Sequence, residues 1–160
     1  MSNALFPRPR HLPQHPRRSF AIVSSQYNET YSRGLVEHAR AELHAISAGS
    51  EIAEFEVPGA FEIPLVVEEV ARQGKFEAIL ALGVIIEGKT QHADLIGREV
   101  TTALQQIALR NRVPVIHEVI LVRDEAQAQE RCLGETINRG TEAARVAVKM
   151  AVLMSELKPR

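Results

Sequence analysis

The sequence predicts an α/β fold, a three-layer sandwich in which one four-stranded parallel sheet carries helices on both faces. Three observations lead there. Four short strand-like runs alternate with helix-periodic segments along the chain, an order that calls for a parallel sheet joined by right-handed crossovers. Glycine and proline mark the joints between these segments. The length, 160 residues, suffices for one well-packed domain and is too short for two ordinary ones.

Each element has its own warrant. Residues 20–24, F-A-I-V-S, read as a buried strand. Asn28 or Thr30 is placed to cap the next helix, which runs to about Ala45 and shows Leu35, Ala39, Leu43 and Ile46 at helical spacing. Residues 51–57 interleave Ile52, Ala53, Phe55 and Val57 with acids as a second strand, ended by Pro58-Gly59. Residues 60–72 predict a helix, with Pro64 in its first turn, where proline is tolerated, and Gly74 closing it. Residues 76–86 form the third strand, and 90–111 a long helix with Leu95, Ile96, Val100, Leu104 and Ile107 on one face. Residues 113–122 give the fourth strand and 125–132 a short helix. Gly134 and Gly140 flank a turn before the last helix, 141–157. In such sheets a ligand binds beyond the carboxyl ends of the strands. The loops to inspect are therefore 24–28, 57–62, 86–92 and 122–125.

Composition narrows the function. Hydrophobic residues make up 45% and charged residues 24%, the balance of a soluble globular protein. A net charge of −1 argues against a general nucleic-acid binder. No apolar run reaches the ~18 residues of a membrane span. Cys132 is the single cysteine, so no intramolecular disulfide can form, which suits a reducing cytoplasm. Residues 1–18 stand apart from the 19–160 domain as an arm rich in proline and arginine. Its proline density forbids a helix and favours an extended chain, and no apolar segment follows the positive residues as in a secretory signal.

The most informative stretch is A-L-G-V-I-I-E-G-K-T-Q-H-A-D at 81–94. By letter, 83–90 satisfies G-x-x-x-x-G-K-T, the phosphate loop of nucleotide-using proteins. By chemistry it does not. A cradle of backbone N–H groups needs small, flexible residues, whereas Val84, Ile85 and Ile86 are β-branched and prefer to stay extended. Glu87 would also repel the anion. The strand is thus expected to run to about Ile86, the turn to be Glu87-Gly88-Lys89, and His92 to sit in the first turn of the helix. A neutral imidazole there can accept a proton. Lys89 and Thr90, with the free N–H groups of a helix start, can hold a phosphate; the plainer alternative is a Thr90 cap beside a solvated lysine.

The run V-P-G-A-F-E-I-P at 57–64 is harder to explain as structure alone. Gly59 permits a backbone conformation closed to other residues, and Phe61 with Glu62 suits a flat, polar heterocycle; alternatively Phe61 is a core residue. Arg131 reads in isolation as a solvated surface residue, Cys132 as a small buried one, and His117 as a core or interface histidine. No His, Cys, Asp or Glu set has metal-ligand spacing, and no G-x-S-x-G nucleophile elbow occurs.

Taken together, P-G-A-F-E-I-P at 58–64, L-G-V-I-I-E-G-K-T-Q-H-A-D at 82–94, V-P-V at 113–115 and the 130–140 segment resemble the lumazine synthase (6,7-dimethyl-8-ribityllumazine synthase) family, over about residues 20–157. The resemblance implies a flavodoxin-like fold and a cofactor-free, metal-free condensation in riboflavin biosynthesis. Its substrates would be 5-amino-6-ribitylaminouracil and 3,4-dihydroxy-2-butanone 4-phosphate. It implies Tyr27 stacking on the pyrimidine, Ala60, Phe61 and Glu62 binding the ribitylaminouracil, and Val84, Ile85 and Ile86 lining its other side. Lys89 and Thr90 would contact the phosphate, His92 would transfer protons, and His117 would face the substrate. Arg131 would reach the phosphate from a neighbouring subunit. It further implies a homopentamer, in some relatives twelve pentamers in a sixty-subunit icosahedral shell, and association with riboflavin synthase. The chain departs from the family pattern at Glu87, Ala93, Glu118 and Glu135.

Overall fold

The computed structural model describes residues 16–159. Along the chain follow Ser19–Ser25 (β1), Glu29–Ile46 (α1), Glu51–Val57 (β2), a 3-10 turn at Ala60–Glu62, Ile63–Arg72 (α2), Ala78–Ile86 (β3), His92–Asn111 (α3), Val115–Val122 (β4), Glu125–Leu133 (α4) and Arg139–Leu157 (α5). The strands form one sheet in the order β2-β1-β3-β4, every pair parallel. This is the expected three-layer sandwich of flavodoxin-like type.

Side-chain alternation divides the core in two. Phe20, Ile22, Leu80, Leu82, Val84 and Ile120 pack against α1, α4 and α5 through Leu35, Leu43, Cys132, Ala144 and Val148. The residues between them, Ala21, Val23, Ile79, Ala81, Ile85 and Val119, pack against α2 and α3 through Ile63, Val67, Val100 and Leu104. A strand buried on both faces is apolar at every position, and β3 is buried from Ala78 to Ile85.

Several local expectations need correction. Neither Asn28 nor Thr30 caps α1 with its side chain; Asn28 is left-handed (φ 57°), a conformation asparagine tolerates. Its amide instead donates to Val84 O at 2.8 Å, tying the loop after β1 to β3. The predicted helix from residue 60 opens as a tighter 3-10 turn, with the α-helix beginning at Ile63 and Pro64 in its first turn. The long helix begins at His92 rather than residue 90. Gly140 does not flank the last turn but lies inside the first turn of α5, which Asn138 caps by accepting from Thr141 N at 3.1 Å.

Residues 16–18 lie along the amino-terminal edge of the sheet. Pro16 O accepts from Ser47 Oγ at 2.8 Å, and Arg17 and Arg18 pair with Glu51 and Glu77. Residues 1–15, most of the arm, fall outside the described residues. No described helix is long and apolar enough to cross a membrane.

Candidate active site

The site is built where the sheet ends. β1 stops at Ser25, while β3 continues to Ile86, past Leu82, the partner of Ser24. The loops after β1 and β2 are stitched together by Gln26 N to Val57 O (2.8 Å) and Tyr27 N to Pro58 O (3.0 Å). Glu62 Oε2 accepts from Gly59 N at 2.9 Å, closing the turn after β2. Gly59 itself has φ −135°, an extended conformation open to any residue, so the conformational argument for it fails. Contact favours glycine there instead: a Cβ would lie 2.9 Å from Tyr27 Cδ2 and from Glu62 Oε2, and one of these side chains would have to shift.

These loops and the start of α3 enclose a cavity of about 490 Å³ lined by Tyr27, Gly59, Ala60, Phe61, Glu62, His92, Leu95, Ile96 and Glu99. The volume lies within the range of small-molecule sites. Tyr27 is 70% exposed and Phe61 62%, so both aromatic rings stand at the opening and Phe61 is not a core residue. Sequence reading placed Leu95 and Ile96 on the buried face of α3; Leu95 is 59% exposed and lines the cavity instead. Together with Glu99 it is a site residue that sequence reasoning missed. The signal was present: 92, 95, 96 and 99 share one helical face.

Other predicted residues fall elsewhere. Val84 points into the core beneath α1 and α5, Ile85 into the core beneath α2 and α3, and Ile86 packs at the margin of the former. Lys89 and Thr90 are exposed in the bend between β3 and α3, and Thr90 is not the helix cap, since Gln91 occupies that position. The strand runs to Ile86 and the turn follows it, so residues 84–86 are strand and form no phosphate cradle. Gly83, the first glycine of the letter match, is a sheet residue whose Cβ would lie 2.8 Å from Ser25 Oγ. A Cβ on Gly88, the second, would meet nothing within 4 Å.

His117 and Arg131 are not among the residues lining the cavity. His117 lies on the edge strand β4 and faces α3. Its Nδ1 accepts from Val119 N (3.1 Å), so in the neutral ring Nε2 carries the proton and donates to Thr101 Oγ1 (2.7 Å). Thr101 in turn donates to Gly97 O at 2.7 Å. Burial holds the imidazole's pKa below its usual value. Arg131 is half-buried in the last turn of α4, next to the buried thiol of Cys132, whose pKa burial pushes up to about 12. That cysteine is inert. No group of three or more His, Cys, Asp or Glu among the described residues could hold a metal ion.

A doubly covered parallel sheet with an aromatic-rimmed cavity beyond its carboxyl ends defines an α/β protein with a small-molecule site. Comparison with known proteins makes the class particular. The chain belongs to the 6,7-dimethyl-8-ribityllumazine synthase family, whose family model matches residues 17–155. It is 41% identical over 141 residues to the 6,7-dimethyl-8-ribityllumazine synthase of Thermococcus onnurineus, covering 87% of this chain and 90% of that one. The enzymes of the same name from Thermococcus kodakarensis and a Polaromonas species are 38% and 36% identical, each match covering 87% of this chain and 88% of the relative.

Proposed function

We propose that this chain condenses 5-amino-6-ribitylaminouracil with 3,4-dihydroxy-2-butanone 4-phosphate to 6,7-dimethyl-8-ribityllumazine, and that the cavity lined by Tyr27, Ala60, Phe61, Glu62 and His92 holds the pyrimidine. The observation that carries this reading is that cavity: two aromatic faces at the mouth, a carboxylate with one oxygen occupied by Gly59 N–H, and an imidazole at the rim. The amine adds to the ketone and loses water to give an imine. The carbon beside the imine then gives up a proton as phosphate leaves the next carbon, and ring closure expels a second water. Each step moves a proton, and the His92 imidazole at the cavity's rim is the group assigned to carry it. Lys89 and Thr90 in the bend before α3, and Arg131, take the phosphate, with its developing charge met by N–H groups. Incubation with both substrates, following lumazine absorbance and phosphate release together, tests the activity. Arg131→Ala is expected to raise the KM for the butanone phosphate by ten-fold or more and leave pyrimidine affinity nearly intact, since a guanidinium grips phosphate through two N–H groups. Equal loss for both substrates would remove Arg131 from the phosphate site.

The reading includes an assembly, with the protein working in the cytoplasm. His117 and Arg131 do not line the cavity of their own chain, and Val146 and Leu153 on the outer face of α5 are each 44% exposed. Apolar residues on both sides of a helix need cover on both sides. A homopentamer in which each cavity receives His117 and Arg131 from the neighbour satisfies both observations, and the short turn between α4 and α5 fits rings that join into a sixty-subunit shell able to associate with riboflavin synthase. Light scattering at moderate salt is expected to give a mass of five chains or of sixty. A monodisperse monomer would overturn the shared site.

A further inference from the structure

Glu118 is a half-buried carboxylate on the α5 side of β4 to which the proposed reaction assigns no role. Its side chain is only 18% exposed, and its charged contact is Arg139 Nε at 4.0 Å, the outer limit of an ion pair. That guanidinium is already committed: Glu142 holds Arg139 Nη1 at 2.8 Å. Two carboxylates therefore share one cation, and Glu118 is the worse paired. The charges that act on it are those of Arg139 and Glu142 from α5 and of Arg131 from α4, and it acts in turn on the Cys132 thiol. Its neighbour His117 turns to the opposite face, towards Thr101, and its partner on β3 is the apolar Leu82.

With every charged group ionised and the thiol neutral, this cluster sums to zero. With Glu118 protonated it carries one positive charge. We propose that Glu118 makes anion binding at Arg131 proton-linked, its carboxylate taking up a proton as a dianion seats beside it. This rests on the reading of Arg131 as a phosphate ligand and deepens it: Glu118 is a positioning residue for the phosphorylated substrate. Burial pushes the Glu118 pKa up to about 7, with the help of Glu142 and against the pull of Arg139 and Arg131, which brings its titration towards neutrality. Ligand and proton then favour each other by the same factor. Each arriving dianion draws a fraction of a proton from solvent, and each departing phosphate releases it.

Sulfate tests this on the full-length assembled protein, because it has no proton of its own to exchange near neutrality. Calorimetry near pH 7 in two buffers of different ionisation enthalpy is expected to show uptake of a fraction of one proton per site. Sulfate affinity is expected to fall by up to about ten-fold per pH unit above the Glu118 pKa, and the KM for the butanone phosphate to rise in parallel. Glu118→Gln, which keeps the shape, should abolish the uptake and flatten both profiles. Uptake that persists in Glu118→Gln overturns the proposal. Should that variant misfold, infrared spectroscopy of the parent protein decides: the protonated-carboxyl band must grow when sulfate is added, and an unchanged band overturns it equally. Arg131→Ala separates the underlying reading. Sulfate binding that survives in Arg131→Ala, or is absent from the parent protein, refutes the phosphate assignment, whereas loss in Arg131→Ala with uptake unchanged in Glu118→Gln refutes the proton linkage alone.

Discussion

Replacing His92 with alanine is expected to lower turnover by roughly ten- to a thousand-fold, the usual contribution of a general acid or base. Three features of the structure make the variant informative. His92 is the first residue of α3 and lines the cavity, so its imidazole is placed to meet a bound substrate. Its side chain is exposed and makes no hydrogen bond to another described residue, so its removal is expected to leave the fold intact. Asp94, the nearest carboxylate in the same turn, pairs with Arg98 at 3.0 Å and does not orient the ring. Activity should not vanish, because holding two substrates side by side supplies part of the rate without any proton transfer. Steady-state kinetics beside an unfolding curve would check this. A folded His92→Ala protein with full turnover would take the residue out of the chemistry.

What the sequence disclosed, and what it hid, follows from the range of the interactions involved. The apolar run of β3 announces a strand because both its faces are buried, and the same β-branched residues disqualify 83–90 as a phosphate cradle. Pro64 announces the start of α2 because a missing N–H costs nothing there. These are local signals. Asn28 failed as a cap prediction because its amide serves Val84 O, a partner on another strand that no local pattern reveals. Leu95 failed as a core residue and is exposed, because its side chain borders the cavity and not the core. Position alone placed Tyr27, Phe61 and His92 in loops at one end of a predicted sheet, and their particular roles came from the family resemblance. Glu118 was visible only as a departure from a family pattern, since its significance lies in sharing Arg139 with Glu142 from a distant helix.

Gly140→Ala is expected to destabilise the fold. Two effects of opposite sign compete. Alanine is favoured over glycine inside a helix by about 1 kcal/mol. Against that, a Cβ at Gly140 would lie 2.2 Å from Leu35 O and 3.0 Å from Leu35 C and Cα. These are backbone atoms of α1, which cannot rotate aside as a side-chain tip can. Nor can α1 back away cheaply, because Leu35, Ala39 and Leu43 are buried in the same core as Ala143, Ala144 and Ala147 of α5. Overpacking of this kind costs about 1–3 kcal/mol, occasionally more, so the steric term wins and the net change is destabilising. For a domain of this size each kcal/mol shifts Tm by about 2–4 °C, and the comparison must be made at one protein concentration because assembly adds to stability. Gly88→Ala is the control: nothing stands within 4 Å of its Cβ position, and its effect should stay within about 0.5 kcal/mol. If Gly140→Ala instead raised Tm, the helix-propensity gain would have prevailed, and α1 and α5 could not approach each other as closely as this packing requires.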